Sequence, residues 1–368
     1  MSRAWLVALA IVLVPCIPLK QVSPSSMRRA RDYCLLALLG LGTLWAITEA
    51  PPFAPIGPVL LWWWVQPPTA PPGRSSRDVA SSVIIWTGLA GLWAALAGLP
   101  PLAWEAIGWG WVLVVTGAVG YCAYQWWYIG KHPPDFDPEY MAGRPVWHPY
   151  RPFNPASAWF GQRTLTAAFF AMVLPFFPVP LLWIPLLGLF LTCSWAAIGA
   201  AAIALMMLWP WTAIPSLGLV TLAVTVGLTR PALLDWTPRG GSIDSLRQRW
   251  VALGVVLPTL RRRAWLPRGY GPGAMELATQ RWAAVKGGEV VPVGMIHCDP
   301  LQFLFEYGLG AAGAMLVLLA MVVPKLALHD PWSAAWVAGG LISFTGINLR
   351  MFPTAIVWLA LSVHLAMR

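Results

Sequence analysis

TLTAAFFAMVLPFFPVPLLWIPLLGLFLTCSWAAIGAAAIALMMLW, residues 164 to 209, contains no Asp, Glu, Lys, Arg or His in 46 positions. Prolines and a Cys-Ser pair divide it into apolar runs at 164–178, 180–193 and 195–209. Runs of this length predict helices rather than the roughly ten-residue alternating strands of a membrane barrel. Only helices and closed barrels satisfy their backbone in hydrocarbon. Similar runs recur near 4–19, 33–50, 53–66, 79–99, 106–129, 211–228, 300–323, 332–348 and 351–367. The expected fold is therefore all-α, a polytopic transmembrane helical bundle of about 12 spans. The short, Pro-rich runs 53–66 and 180–193 leave tilted, broken or re-entrant segments open.

Composition points the same way. Apolar residues make up 58% of the 368 positions and charged residues 10%, against roughly 45–50% and about 25% in soluble domains. A water-soluble enzyme domain is restricted to two polar stretches, 130–163 and 229–299, each too small or too rich in Pro and Arg to build much core. The formal charge is +10, and residues 229–299 hold ten basic and five acidic side chains. Such a loop attracts anionic headgroups or diphosphates. Nucleic acid is not an expected partner, because no basic soluble module is visible. Five scattered cysteines predict neither a zinc site nor a disulfide framework. Residues 1–19 have an apolar core after Arg3 but no small-residue cleavage site, and read as a retained first span. Many of the 25 tryptophans, Trp109, Trp111, Trp126 and Trp127 among them, fall near expected span ends, where an interfacial belt belongs.

The third quarter of the chain carries the most polar patterning. From Ser242 it reads SIDSLRQRWVALGVVLPTLRRRAWLPRGYGPG. Asp244 is placed to cap a helix whose Leu246, Trp250, Leu253, Val256, Leu257 and Leu260 alternate with arginines, the pattern of a helix lying at a membrane interface. These arginines either touch headgroups or hold a phosphate. Gly269-Tyr270-Gly271-Pro272-Gly273 is a tight turn whose exposed amides can also cradle a phosphate. Next stands Met295-Ile296-His297-Cys298-Asp299-Pro300-Leu301-Gln302-Phe303-Leu304-Phe305-Glu306-Tyr307-Gly308, leading into an apolar run. Pro300 suits the first turn of a helix. Gln302 and Glu306, four apart, share one helix face. Ionisable groups at the mouth of a span are functional candidates; an interfacial His297 without chemistry is the plain alternative.

This succession resembles the O-antigen ligase and O-antigen polymerase superfamily of membrane glycosyltransferases. The family pattern His-Asn-Asp-x-Leu-Gln-x-Leu-x-Glu-x-Gly is matched from His297 to Gly308 except that Cys298 replaces the Asn. The family's Arg, Trp-containing helix and Pro-x-x-Gly-x-Gly-Pro-Gly turn look like Arg247, Trp250 and Pro267 to Gly273, with Arg249 a rival for Arg247. Gly161-Gln162-Arg163-Thr164-Leu165-Thr166-Ala167-Ala168 is similar to a family Gly-Asn-x-Asn-x-x-Ala-Ala segment, with both asparagines replaced. Leu191-Thr192-Cys193-Ser194-Trp195-Ala196-Ala197 looks like Leu-Thr-x-Ser-Arg-x-Ala, with Trp195 in place of the arginine. The four elements keep the family's order over residues 150 to 320.

The resemblance implies a GT-C type fold and a metal-independent inverting glycosyltransferase that needs no cofactor. Its donor would be an undecaprenyl-diphosphate-linked glycan, and its acceptor a glycan, a lipid A-core or another molecule. The site would face the periplasm from the bacterial inner membrane. The polar stretches 130–163 and 229–299 would then be extracytoplasmic loops, set among N-terminal (1–129), central (164–228) and C-terminal (300–368) transmembrane helices. The residues agree with that chemistry: no metal-binding motif appears, and arginines can neutralise the charge that develops on a leaving diphosphate. His297 titrates in the range needed to take or orient the acceptor proton. Arg247 is assigned to the diphosphate, Arg163 to a second contact, and Arg249, Gly271, Gly273, Asp299, Gln302 and Glu306 to substrate binding. Twelve spans place 21 of the 24 basic residues on the face that the family reading calls outer, against the positive-inside rule. A lipid-linked glycan flippase and a non-catalytic membrane protein of polysaccharide assembly are the competing readings.

Overall fold

The computed structural model describes residues 3–16, 91–93, 95–131, 158, 163–192, 194–212, 298–345 and 352–368, with the single positions 214, 218 and 254. Among these residues all regular structure is helical. The principal helices are α1 (Arg3–Leu13), α2 (Pro101–Lys131), α3 (Arg163–Val173), α4 (Trp183–Thr192), α5 (Trp195–Leu208), α6 (Asp299–Val322), α7 (Pro331–Thr345) and α8 (Phe352–Met367).

Local sequence explains most of their ends. Pro15 stops α1 early, so the first expected run yields 11 helical residues and then a single 3-10 turn, Val14–Cys16. Pro101 opens α2 five residues before the apolar run at 106, because a proline at the first helical position lacks only an N–H that had no partner there. The Pro100 carbonyl accepts from the Ala103 N–H at 2.9 Å. Leu174–Phe176 and Val179–Leu181 form 3-10 turns, each with a proline in its first positions, and link α3 to α4.

Helix α3 is the axis of the described bundle. Leu165 through Leu174 are all at most 1% exposed, which is what a helix apolar on every side requires. It packs on α2, α4, α5, α7 and α8. Small residues set the spacing: a Cβ at Gly188 of α4 would lie 2.5 Å from Phe170 Cε2 of α3 and 2.7 Å from Val119 Cγ2 of α2. Buried Ala197, Ala200, Ala201 and Ala204 of α5, with Ala334, Ala335 and Ala338 of α7, accompany the contact between those two helices. Close packing through small side chains is the usual way apolar helices associate where the hydrophobic effect does not drive them together.

Trp111, expected in an interfacial belt, belongs instead to the core. It is fully buried, its Nε1 donates to the Ile11 carbonyl at 3.4 Å, and its ring meets Phe176 and Trp332. The reason is the earlier start of α2, which puts residue 111 well inside the helix rather than at its mouth. Trp336 and Trp358 stack at 5.4 Å and fasten α7 to α8: Trp358 Nε1 donates to the Trp336 carbonyl, and Trp336 Nε1 donates to Ser362 Oγ. Both buried indole N–H groups are thus satisfied.

Among the described residues two helical stretches are long and apolar enough to cross a membrane, Pro101–Gln125 and Gly308–Lys325. The first is 44% buried inside the bundle and the second 12%, so the second runs along its periphery.

Candidate functional site

Helix polarity fixes which groups share an end of the bundle. Phe176, after the C-terminus of α3, packs on Gly108 and Trp111 near the start of α2, while Phe170 lies beside Val119. Helices α2 and α3 are therefore antiparallel, and Arg163 opens α3 at the end where α2 finishes. Gln125 Nε2 of α2 donates to the Ala158 carbonyl at 3.2 Å at the same end. The opposite end is marked by the turn that precedes α7, where Asp330 meets Arg368.

Of the residues singled out in the sequence, Asp299 and Gln302 are the best defined. Both are fully buried in the first turns of α6, three residues apart. Pro300 stands in the first helical turn as expected, and the Gln302 N–H donates to the Cys298 carbonyl at 3.0 Å. Cys298 is the N-cap, with extended backbone and no side-chain capping bond. The family's Asn at this place is among the strongest capping residues. Glu306 belongs to the same helix, and Arg163 begins α3. His297, Arg247, Arg249, Gly271 and Gly273 lie outside the described residues, as does the expected interfacial helix apart from Gly254.

Gly308, the last residue of the matched motif, interrupts α6. Its φ of 69° and ψ of −157° are non-helical, in a region that is essentially glycine's alone. The break separates a half-helix carrying Asp299, Gln302 and buried Phe305 from the peripheral Gly308–Val322 half. Sequence reasoning missed it, since Tyr-Gly-Leu-Gly within an apolar run reads as continuous helix.

A second polar cluster occupies the far end. Asp330 Oδ2 accepts from the Ser333 N–H at 2.8 Å and from Ser333 Oγ at 2.6 Å, and Arg368 Nη1 lies 2.9 Å away. Burial pushes the Asp330 carboxyl up, but hydrogen bonds from Ser333 and Arg368 and the Arg368 charge outweigh it and hold the group below its ordinary value. His329, at φ 63°, donates its backbone N–H to the Met207 carbonyl at 2.9 Å and sets Nδ1 2.6 Å from the Leu208 carbonyl. It thereby closes the C-terminus of α5, whose last carbonyls have no helical partners. Arg368 Nε donates to His364 Nε2 at 3.0 Å, and the His364 ring lies 4.0 Å from Trp332 and 4.8 Å from Trp104. Asp-Pro-Trp-Ser at 330–333 is a legible helix start. Nothing in sequence spacing joins it to residues 208, 364 and 368.

Among the described residues no three His, Cys, Asp or Glu side chains stand close enough to hold a metal ion. The chain matches no protein-family model and no curated protein sequence.

Proposed function

We propose that the chain is a polytopic membrane glycosyltransferase of about 12 spans, O-antigen ligase-like or polymerase-like, acting at the periplasmic face of a bacterial inner membrane on an undecaprenyl-diphosphate-linked glycan. One observation carries this reading. Asp299 and Gln302, buried at the start of α6, belong to the stretch from His297 to Gly308 in which the resemblance is strongest, and the stretch ends at a glycine-only break in the helix. In this reading His297 takes or orients the acceptor proton, Arg247 (or its rival Arg249) neutralises the diphosphate, and no metal takes part.

The membrane setting has its own support. Thr116, Thr192 and Ser343 hydroxyls each donate to a carbonyl three or four residues back in the same helix, which removes polar hydrogens from an apolar surrounding. The test is reconstitution of the purified chain with an undecaprenyl-diphosphate oligosaccharide and candidate acceptors. Longer or transferred glycan with release of undecaprenyl diphosphate supports the proposal; absence of transfer with every acceptor overturns it. The break at Gly308 favours one other reading, because discontinuous helices frame the binding sites of many transporters. Movement of labelled lipid-linked glycan across a vesicle without glycan transfer would establish that one.

A further inference from the structure

We propose that the tip of the α3–α4 hairpin ends inside the bilayer hydrocarbon, with the outer face of α4 against lipid acyl chains, and does not emerge into water. The inference rests on the membrane reading but not on the glycosyltransferase chemistry.

A turn between two spans that surfaces in water normally exposes polar side chains and unpaired backbone groups. This hairpin has no polar side chain to expose. From Ala167 to Leu191 there is no Ser, Thr, Asn, Gln, His or charged residue, and no charged side chain occurs from Thr164 to Thr229. The tip also meets part of its backbone requirement internally. Pro175, Pro178, Pro180 and Pro185 have no N–H to satisfy. The N–H groups of Phe177, Leu181, Leu182 and Leu186 donate to the carbonyls of Leu174, Pro178, Val179 and Leu182 at 2.9 to 3.3 Å. Lipid imposes this internal pairing and water does not.

Depth follows from the neighbours. Phe176 packs edge-on against Trp332 at 4.8 Å and lies beside Gly108. Helix α2 continues from Gly108 back to Pro101, a further 10 Å or so at the helical rise. The polar cluster of Asp330, His329 and Arg368 begins just beyond Trp332. Phe176 thus lies on the apolar side of Trp332, about one helical turn short of exposed Glu105 on α2. Outside the packed face, Val179, Leu181, Trp183, Leu186, Leu187 and Phe190 are exposed, while Pro185, Gly188 and Leu189 face the bundle. An uncharged, wholly apolar surface is complementary to acyl chains.

The test uses the full chain in nanodiscs, with its native cysteines replaced and a nitroxide attached at Val179→Cys or, as a control in the polar turn, at Leu328→Cys. The Val179 label should be relaxed by molecular oxygen and at least tenfold less by a water-soluble nickel chelate than the Leu328 label. Because cysteine replacement can itself disturb folding, Val179→Lys and Leu181→Lys are made in the otherwise native chain. Both should fail to accumulate in membranes, whereas Leu328→Lys should accumulate normally. A chain that alkaline carbonate washes from the membrane overturns the membrane reading itself. An embedded chain with equal nickel access at 179 and 328, or normal accumulation of both lysine variants, overturns the placement of the tip alone.

Discussion

Arg368 reaches back to Asp330 so that Nη1 lies 2.9 Å from the same carboxylate oxygen that accepts both hydrogen bonds from Ser333. Asp330 is thus the cap of α7 and the anchor of the chain's last helix. Asp330→Ala should lower stability in detergent by about 1–2 kcal/mol, the scale of a lost N-cap. Arg368→Ala should cost less than about 1 kcal/mol, since that side chain is 40% exposed and solvent screens the pair. Thermal unfolding of the two variants should therefore rank them in that order.

Acid should weaken the same node. Asp330 has a folded pKa below its unfolded value, ordinarily about 3.9. Its stabilisation is complete above that value and is lost as pH falls through the lower folded one. The stability gap between the native chain and Asp330→Asn should be constant near neutrality and close progressively below about pH 4. A gap that widens in acid would reverse the sign.

Gly188→Val should be among the more damaging substitutions in the apolar core. Its Cβ would collide with Phe170 and Val119, and overpacking of this kind typically costs about 1–3 kcal/mol. A melting temperature equal to that of the native chain would show that α4 can move off α2 and α3.

Cys298→Asn introduces, at a start of α6 that has no side-chain capping bond, the residue that the O-antigen ligase-like pattern has there. A new side-chain cap should stabilise that half-helix by about 0.5–1 kcal/mol. If the proposed activity is real, turnover should be retained or raised; complete loss would mean that the thiol itself takes part.

On the proposed mechanism, His297→Ala should reduce turnover by about 10²–10⁴ without loss of expression. Arg247→Lys should also lose most activity, because an ammonium cannot grip two diphosphate oxygens as a guanidinium fork does. If Arg247→Lys is silent and Arg249→Lys inactive, the role passes to Arg249. Normal turnover of purified His297→Ala would remove the histidine from the mechanism.

Local signals made the helices legible. The runs at 164–178, 180–193 and 195–209 correspond to α3, α4 and α5 with their 3-10 extensions, because Pro175, Pro178 and Pro180 and the N-cap Ser194 act where they stand. The run at 300–323 anticipates α6 to within a residue at each end, although its break at Gly308 depends on a dihedral angle that composition does not encode. The Asp330 cluster was illegible for another reason. Its local pairs, Asp330 with Ser333 and His364 with Arg368, follow spacing rules, but the two pairs meet each other, and His329 meets the Leu208 carbonyl, only after the helices have packed. The buried position of Trp111 likewise depends on where α2 begins, which two prolines decide more than hydropathy does.

Helix α5, bounded by Ser194 and Trp209, has 14 residues and is about 21 Å long, whereas a bilayer's hydrocarbon is about 30 Å thick. Elsewhere in the bundle α2 has 31 residues and measures about 46 Å. On the proposed membrane reading, the shortfall at α5 can be met by local thinning of the bilayer over one of its ends. The carbonyls of Met207 and Leu208 at one end are already closed by His329. The Ser194 end lies on the side from which Arg163 starts α3. A depression there would bring the aqueous phase below the plane of the headgroups, so that a lipid diphosphate could be met by water and arginine without leaving its leaflet.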